Sequence, residues 1–186
     1  MNIVSKLIEA IAALLGSKQP ETEKRKPLLD LIGKVEASGN YNAYYGNARN
    51  TDVNLTGMTV SGVLTWQDQF VRNGSRSSAV GKYQIIRKTL RSLVKSMGLS
   101  GNEVFNEEMQ DAMAVELLNR RGYSKFLSGQ KSRFAFANNL AKEWASFPVH
   151  GGLKHGMSYY AGDGLNKALV SPEKVNEVLM EVYNAQ

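Results

Sequence analysis

The 186-residue sequence contains no cysteine, four prolines and two histidines. Without thiols, disulfides, a cysteine nucleophile and Cys-ligated zinc are excluded, and the fold is indifferent to whether its compartment is reducing or oxidising. The two histidines, His150 and His155 in "HGGLKH", bring no third ligand at standard spacing and sit among glycines, so neither a metal nor any other cofactor is expected. No apolar run approaches the roughly 20 residues needed to cross a bilayer. Zinc-finger spacing, an RNA-binding aromatic motif and an arginine-rich arm are missing too, so nucleic acid is not an expected partner.

What remains is ordinary for a soluble globular chain: 42% hydrophobic and 22% charged residues, enough length for one domain with a sizeable core. The net charge of +6 attracts polyanions, and with nucleic-acid motifs absent the anionic bacterial envelope is the favoured one. Residues 1–16 place Ile3, Val4, Leu7, Ile8, Ile11, Leu14 and Leu15 at helical spacing, an amphipathic helix too short to span a membrane. Glu9 interrupts what would otherwise resemble a signal-peptide core. A helix this short needs a surface: its own domain or a neighbouring chain by one reading, an anionic membrane by the other. Residues 17–27, polar and carrying Pro20 and Pro27, read as a linker or bend.

From Leu28 the helical period dominates, over residues 28–37, about 59–72, about 83–97, from an N-cap at Asn106 to a stop at Gly122, about 132–147, and 172–184 behind Ser171 and Pro172. Only Tyr41 to Met58 is rich enough in turn formers to hold short strands. The expected class is α+β and mostly α, with one small β or irregular insertion after the helix that ends near residue 37. Lys88, Arg91 and Lys95 form the solvated face of their helix, and Tyr159 and Tyr160 read as loop packing or as a second sugar-stacking surface.

Within "KVEASGNYN", Leu29, Ile32 and Glu36 lie at i, i+3 and i+7, so Glu36 continues the apolar stripe. It also falls in the last helical turn, where an anion opposes the helix dipole. Burial can move a carboxyl pKa by about 3 units, far more than the dipole, so a protonated general acid and a rim glutamate with its head in water are the two readings. A second stretch, "SSAVGKYQI", offers Gly81 for close backbone approach, and Tyr83 and Gln84 as a flat ring and an amide suited to a sugar chain.

A helix ending in Glu-Ala-Ser-Gly, a turn-rich lobe, then "GKYQI", "MQDAMAVELLNRRG" and "LAKEWASFP" in that order resembles the phage lysozyme and lytic transglycosylase group, lambda-endolysin-like, of the lysozyme-like superfamily. The resemblance covers about residues 28–150, and a domain over 28–186 is expected. It implies a mostly helical fold with a glycan cleft between a small lobe and a helical lobe. Glu36 would be the catalytic acid, and Gly81 to Gln84 would line the cleft. Ser38 and Tyr41, close after Glu36, join Gly81, Tyr83 and Gln84 as substrate-binding candidates.

The pattern departs in one place. The T-even type of phage lysozyme carries an aspartate and a threonine at short fixed spacings after its glutamate, whereas nine residues beyond Glu36 stands Tyr45. Asp52 is the lobe carboxylate left to serve as a second catalytic group. The resemblance thus implies a phage or prophage endolysin cutting the β-1,4 bond between N-acetylmuramic acid and N-acetylglucosamine of peptidoglycan. Hydrolysis as a muramidase is the expectation, a lytic transglycosylase leaving 1,6-anhydro ends the alternative, and a non-catalytic sugar-binding or structural module the second alternative. A monomer is expected, made in the host cytoplasm and acting on the wall in the periplasm after release.

Overall fold

The computed structural model describes residues 21–185. The helix expected over residues 1–16 lies outside the described residues, as do residues 17–20. Helix α1 (Glu21–Ala37) begins inside the stretch read as a linker and carries Pro27 in its interior. The stretch is rich in Glu, Lys and Arg, which are good helix formers, and it is helical even though an interior proline removes one backbone bond and crowds the carbonyl four residues before it. The rest of the chain forms α2 (Val60–Arg72), α3 (Arg87–Ser96), α4 (Glu107–Arg120), α5 (Tyr123–Leu127), α6 (Arg133–Glu143) and α7 (Pro172–Asn184). Among the described residues no helix is long and apolar enough to cross a membrane.

Local chemistry sets the helix ends. Asn106 caps α4 by accepting from the Met109 amide at 2.9 Å, Glu107 and Glu108 favour the positive end of its dipole, and Gly122 leaves it in the left-handed region at φ 94°. Ser132 and Ser171 cap α6 and α7 in the same way. Helix α3 starts at Arg87, later than the sequence period suggests, because Val80 and Ile85 exchange backbone bonds of 3.2 and 2.8 Å across a tight turn. Helix α6 stops at Glu143, short of the expected 147, because Trp144 takes extended backbone.

The core gathers the buried faces of these helices. Leu28 and Ile32 of α1, Leu90 and Leu93 of α3, Met113 and Leu118 of α4, and Phe136 of α6 are all fully buried. Each such side chain contributes roughly 1.5–3 kcal/mol by leaving water. Helix α7 packs against α1 and α6, so the end of the chain braces the helix that carries Glu36.

Residues 38–59 form the small lobe, and the strands allowed for there reduce to isolated bridges, such as Tyr44 with Asn47 and Tyr44 with Val80, and a short 3-10 turn at Leu55–Gly57. Asparagine side chains replace the missing ladder. Buried Asn50 donates to the Asn42 and Val53 carbonyls at 2.6 and 2.7 Å and accepts from the Asp52 and Val53 amides at 3.0 Å. Asn40 donates to the Ala48 and Asn50 carbonyls, and Asn42 accepts from the Thr56 amide. Short amide side chains bond readily to nearby backbone, which is why an Asn-rich segment holds a shape here without a sheet.

Candidate active site

Glu36 is the penultimate residue of α1, on the face that buries Leu29 and Ile32. The helix ends directly after it, because Ser38 and Gly39 take positive φ of 53° and 82° and their amides return to the carbonyls of Lys34 and Gly33. The residue is partly covered overall, but its carboxyl lies deep, and burial pushes its pKa above the ordinary carboxylate value. Hydrogen bonds from the Ser146 hydroxyl and backbone pull in the opposite direction and offset part of that rise.

Ser146 reaches Glu36 from the extended segment after α6. That segment is fixed by the Trp144 indole N–H, which donates to the Tyr83 carbonyl at 3.3 Å, and by the Leu169 amide on the Ser146 carbonyl at 2.8 Å. Removing the hydroxyl takes away a bond that favours the charged carboxylate. Ser146→Ala is therefore expected to move the alkaline limb of any Glu36-dependent pH–rate profile upward. An unchanged or lowered limb, measured by initial rates across pH, contradicts this placement of the hydroxyl.

Glu36 opens into a cleft of about 580 Å³. Tyr45, Gln84, Ile86 and Tyr160 share its lining with Ser146 and the buried Tyr83. The turn that brings Tyr83 and Gln84 there depends on Gly81, which has φ 76° and packs so closely that an added Cβ would lie 2.3 Å from Gln110 Oε1. Gln110 holds that turn from beneath, accepting from the Lys82 amide at 3.0 Å and donating to the Tyr41 and Phe105 carbonyls at 3.0 and 3.1 Å. Gln84 also has positive φ, 48°, and its amide donates to the Gly81 carbonyl at 2.9 Å.

Of the residues singled out in the sequence, Glu36, Tyr83, Gln84 and Tyr160 come together at this cleft, and Gly81 lies buried in the turn that carries Tyr83 and Gln84. Ser38, Tyr41 and Asp52 are not in its lining. Ser38 is exposed at the helix end. Tyr41 turns to a polar cluster in which its hydroxyl and that of Tyr83 donate to Asp111 Oδ1 at 2.8 and 2.6 Å, while Lys82 Nζ donates to the Tyr41 hydroxyl at 3.1 Å. Burial and the neighbouring carboxylate hold both phenols protonated. Asp52 is exposed, its carboxylate 3.3 Å from the Thr51 hydroxyl.

Sequence reasoning missed Ser146 and Glu143. The quoted run "LAKEWASFP" contains both, but nothing in its spacing says that residue 146 meets residue 36. Glu143 lines the cleft as well, with Arg121 Nε donating to it at 2.6 Å. His150 and His155 lie outside the lining, with ring centres 6.5 Å apart, and burial pushes the His150 pKa down.

A mostly helical fold, a small irregular lobe and a deep carboxyl at a cleft are consistent with a lysozyme-like protein. A family model described as Endolysin matches residues 26–168, and the chain belongs to that family, whose members are phage enzymes that break down bacterial peptidoglycan. The match takes in Glu36, Ser146 and the whole cleft lining up to residue 167, and leaves α7 beyond its end. Neither the search of curated proteins nor that of solved structures returned a match.

Proposed function

We propose that this chain cuts the β-1,4 bond between N-acetylmuramic acid and N-acetylglucosamine, with Glu36 as general acid. The observation that carries the reading is the Glu36 carboxyl in the cleft, where burial favours its protonated form. Such a group gives its proton to the glycosidic oxygen as the bond to the muramic acid C1 breaks. On this reading the chain is made in the host cytoplasm and works on the wall from the periplasm.

A muramidase needs a second carboxylate, as base or nucleophile, and Asp52 is outside the lining. Glu143 is inside it but ion-paired with Arg121. One available acid supports a lytic transglycosylase: the C6 hydroxyl of the muramic acid attacks its own C1 and its proton passes to the Glu36 carboxylate. The C1–O6 bond forms as the C1–O4 bond is lost, no water is consumed, and the acid is regenerated.

Asp52→Ala is expected to keep its rate within about twofold, as for an exposed position outside the chemistry. Mass spectrometry of the released fragments is expected to show 1,6-anhydro muramic acid ends. Reducing ends in their place, together with a large loss of rate in Asp52→Ala, would return the reading to a two-carboxylate muramidase.

A further inference from the structure

Arg76 and Lys167 both line the Glu36 cleft and are exposed, and neither has an ion-pair partner among the described residues. They come from different segments. Arg76 is on the turn before Ala79, whose carbonyl accepts from the Tyr45 amide at 2.9 Å. Lys167 lies between Tyr160, whose hydroxyl donates to the Lys142 carbonyl at 2.7 Å, and Leu169, bonded to Ser146. One cation therefore sits on the Tyr45 side of the lining and the other on the Ser146 side. Two further lysines nearby are already engaged, since Lys142 and Lys154 lie over the Tyr159 ring.

The carboxylates of the lining do not balance these charges. Glu36 is held towards its neutral form by burial, and Glu143 is ion-paired with Arg121. The cleft therefore carries an uncompensated positive field, stronger than water would allow because its walls are partly apolar. An uncharged glycan backbone has no use for such a field.

We propose that Arg76 and Lys167 bind the carboxylates of the peptide stems of peptidoglycan, making charged, peptide-bearing glycan the preferred substrate over glycan alone. The inference rests on the reading that the cleft cuts glycan at Glu36. It follows from the chemistry of that polymer. The stem hangs from the lactyl group at C3 of the muramic acid, and muramic acid is the sugar whose C1 reacts, so the stem leaves the backbone beside Glu36. Its free carboxylates are anions of the kind an arginine or lysine at the rim recognises.

The test uses soluble, uncross-linked peptidoglycan strands before and after chemical amidation of their carboxylates, which keeps sugar and peptide but removes the negative charge. Wild-type protein is expected to have a kcat/KM about 2- to 30-fold higher on the unmodified strands, the range for two exposed ion pairs. This preference is expected to shrink as ionic strength rises. The double variant Arg76→Gln, Lys167→Gln is expected to bring the ratio of the two rates close to one. The ratio is taken within each protein, so a partly folded variant does not distort it. Equal rates on both strands for wild type, or a full preference kept by the double variant, overturn the inference. A Glu36→Gln control separates the two layers, since cleavage of either strand at the wild-type rate by that variant defeats the glycan-cutting reading itself.

Discussion

Glu36→Gln is expected to lower kcat/KM on peptidoglycan by about 10²- to 10⁴-fold, the usual worth of a positioned general acid. The amide keeps the shape and still accepts from the Ser146 hydroxyl, so the variant is expected to fold. Its stability carries a separate signature. Burial raises the folded-state pKa of Glu36 above its ordinary 4.5, so the folded chain holds this proton more tightly than the unfolded one. The contribution of the group is fully present below that value and is lost as pH rises through the raised folded pKa. Glutamine has no such loss. The melting temperature of the variant is therefore expected to rise relative to wild type as pH increases from about 4.5, and wild-type activity to fall on its alkaline side above that same value. A melting difference that stays flat with pH would remove the buried carboxyl from the argument.

Gln110→Leu is expected to be the most damaging single change away from Glu36. The leucine leaves the Lys82 amide and the Tyr41 and Phe105 carbonyls without the partner that Gln110 now supplies to all three. Each group left unsatisfied costs about 1–3 kcal/mol, so the loss is roughly 3 kcal/mol or more. At about 2–4 °C per kcal/mol for a chain of this size, the melting temperature falls by roughly 6–12 °C. The turn that carries Tyr83 and Gln84 into the cleft loses its support at the same time, so activity at permissive temperature is expected to fall as well. Circular dichroism melts check the first part, and a shift of only a degree or two contradicts the role given to Gln110.

The helices were legible in the sequence wherever a cap and an apolar stripe agreed. Asn106 with Gly122 bounds α4, and Ser171 with Pro172 starts α7, because these signals are local and depend on one or two backbone bonds. The start of α1 was hidden by Pro27, which marks a boundary in most contexts and here sits inside the helix. In the small lobe, turn formers were visible, but not that Asn40, Asn42 and Asn50 would bond the backbone in place of strands. The resemblance of ordered motifs favoured a general acid over a rim glutamate, but what spacing itself made legible was the place of Glu36 on an apolar face at a helix end. Its partner Ser146, 110 positions away, was not, and neither was the Gln110 support under Gly81, since both depend on how distant segments pack. The resemblance of ordered motifs placed Gly81 to Gln84 near the cleft. Tyr41 was chosen by closeness to Glu36 in sequence and Asp52 as the carboxylate left in the small lobe, and both lie outside the cleft lining.

The most direct measurement is which covalent bond breaks. Purified peptidoglycan is digested with wild-type protein, and newly exposed glycan ends and newly freed amino groups are counted in the same digest. Cleavage at the glycan by Glu36 predicts new muramic acid ends that accumulate with time, at a rate that collapses in Glu36→Gln, and no rise in free amino groups. Amino groups that rise while the glycan strands stay intact would make the chain an enzyme of the peptide stem and contradict the role given to Glu36.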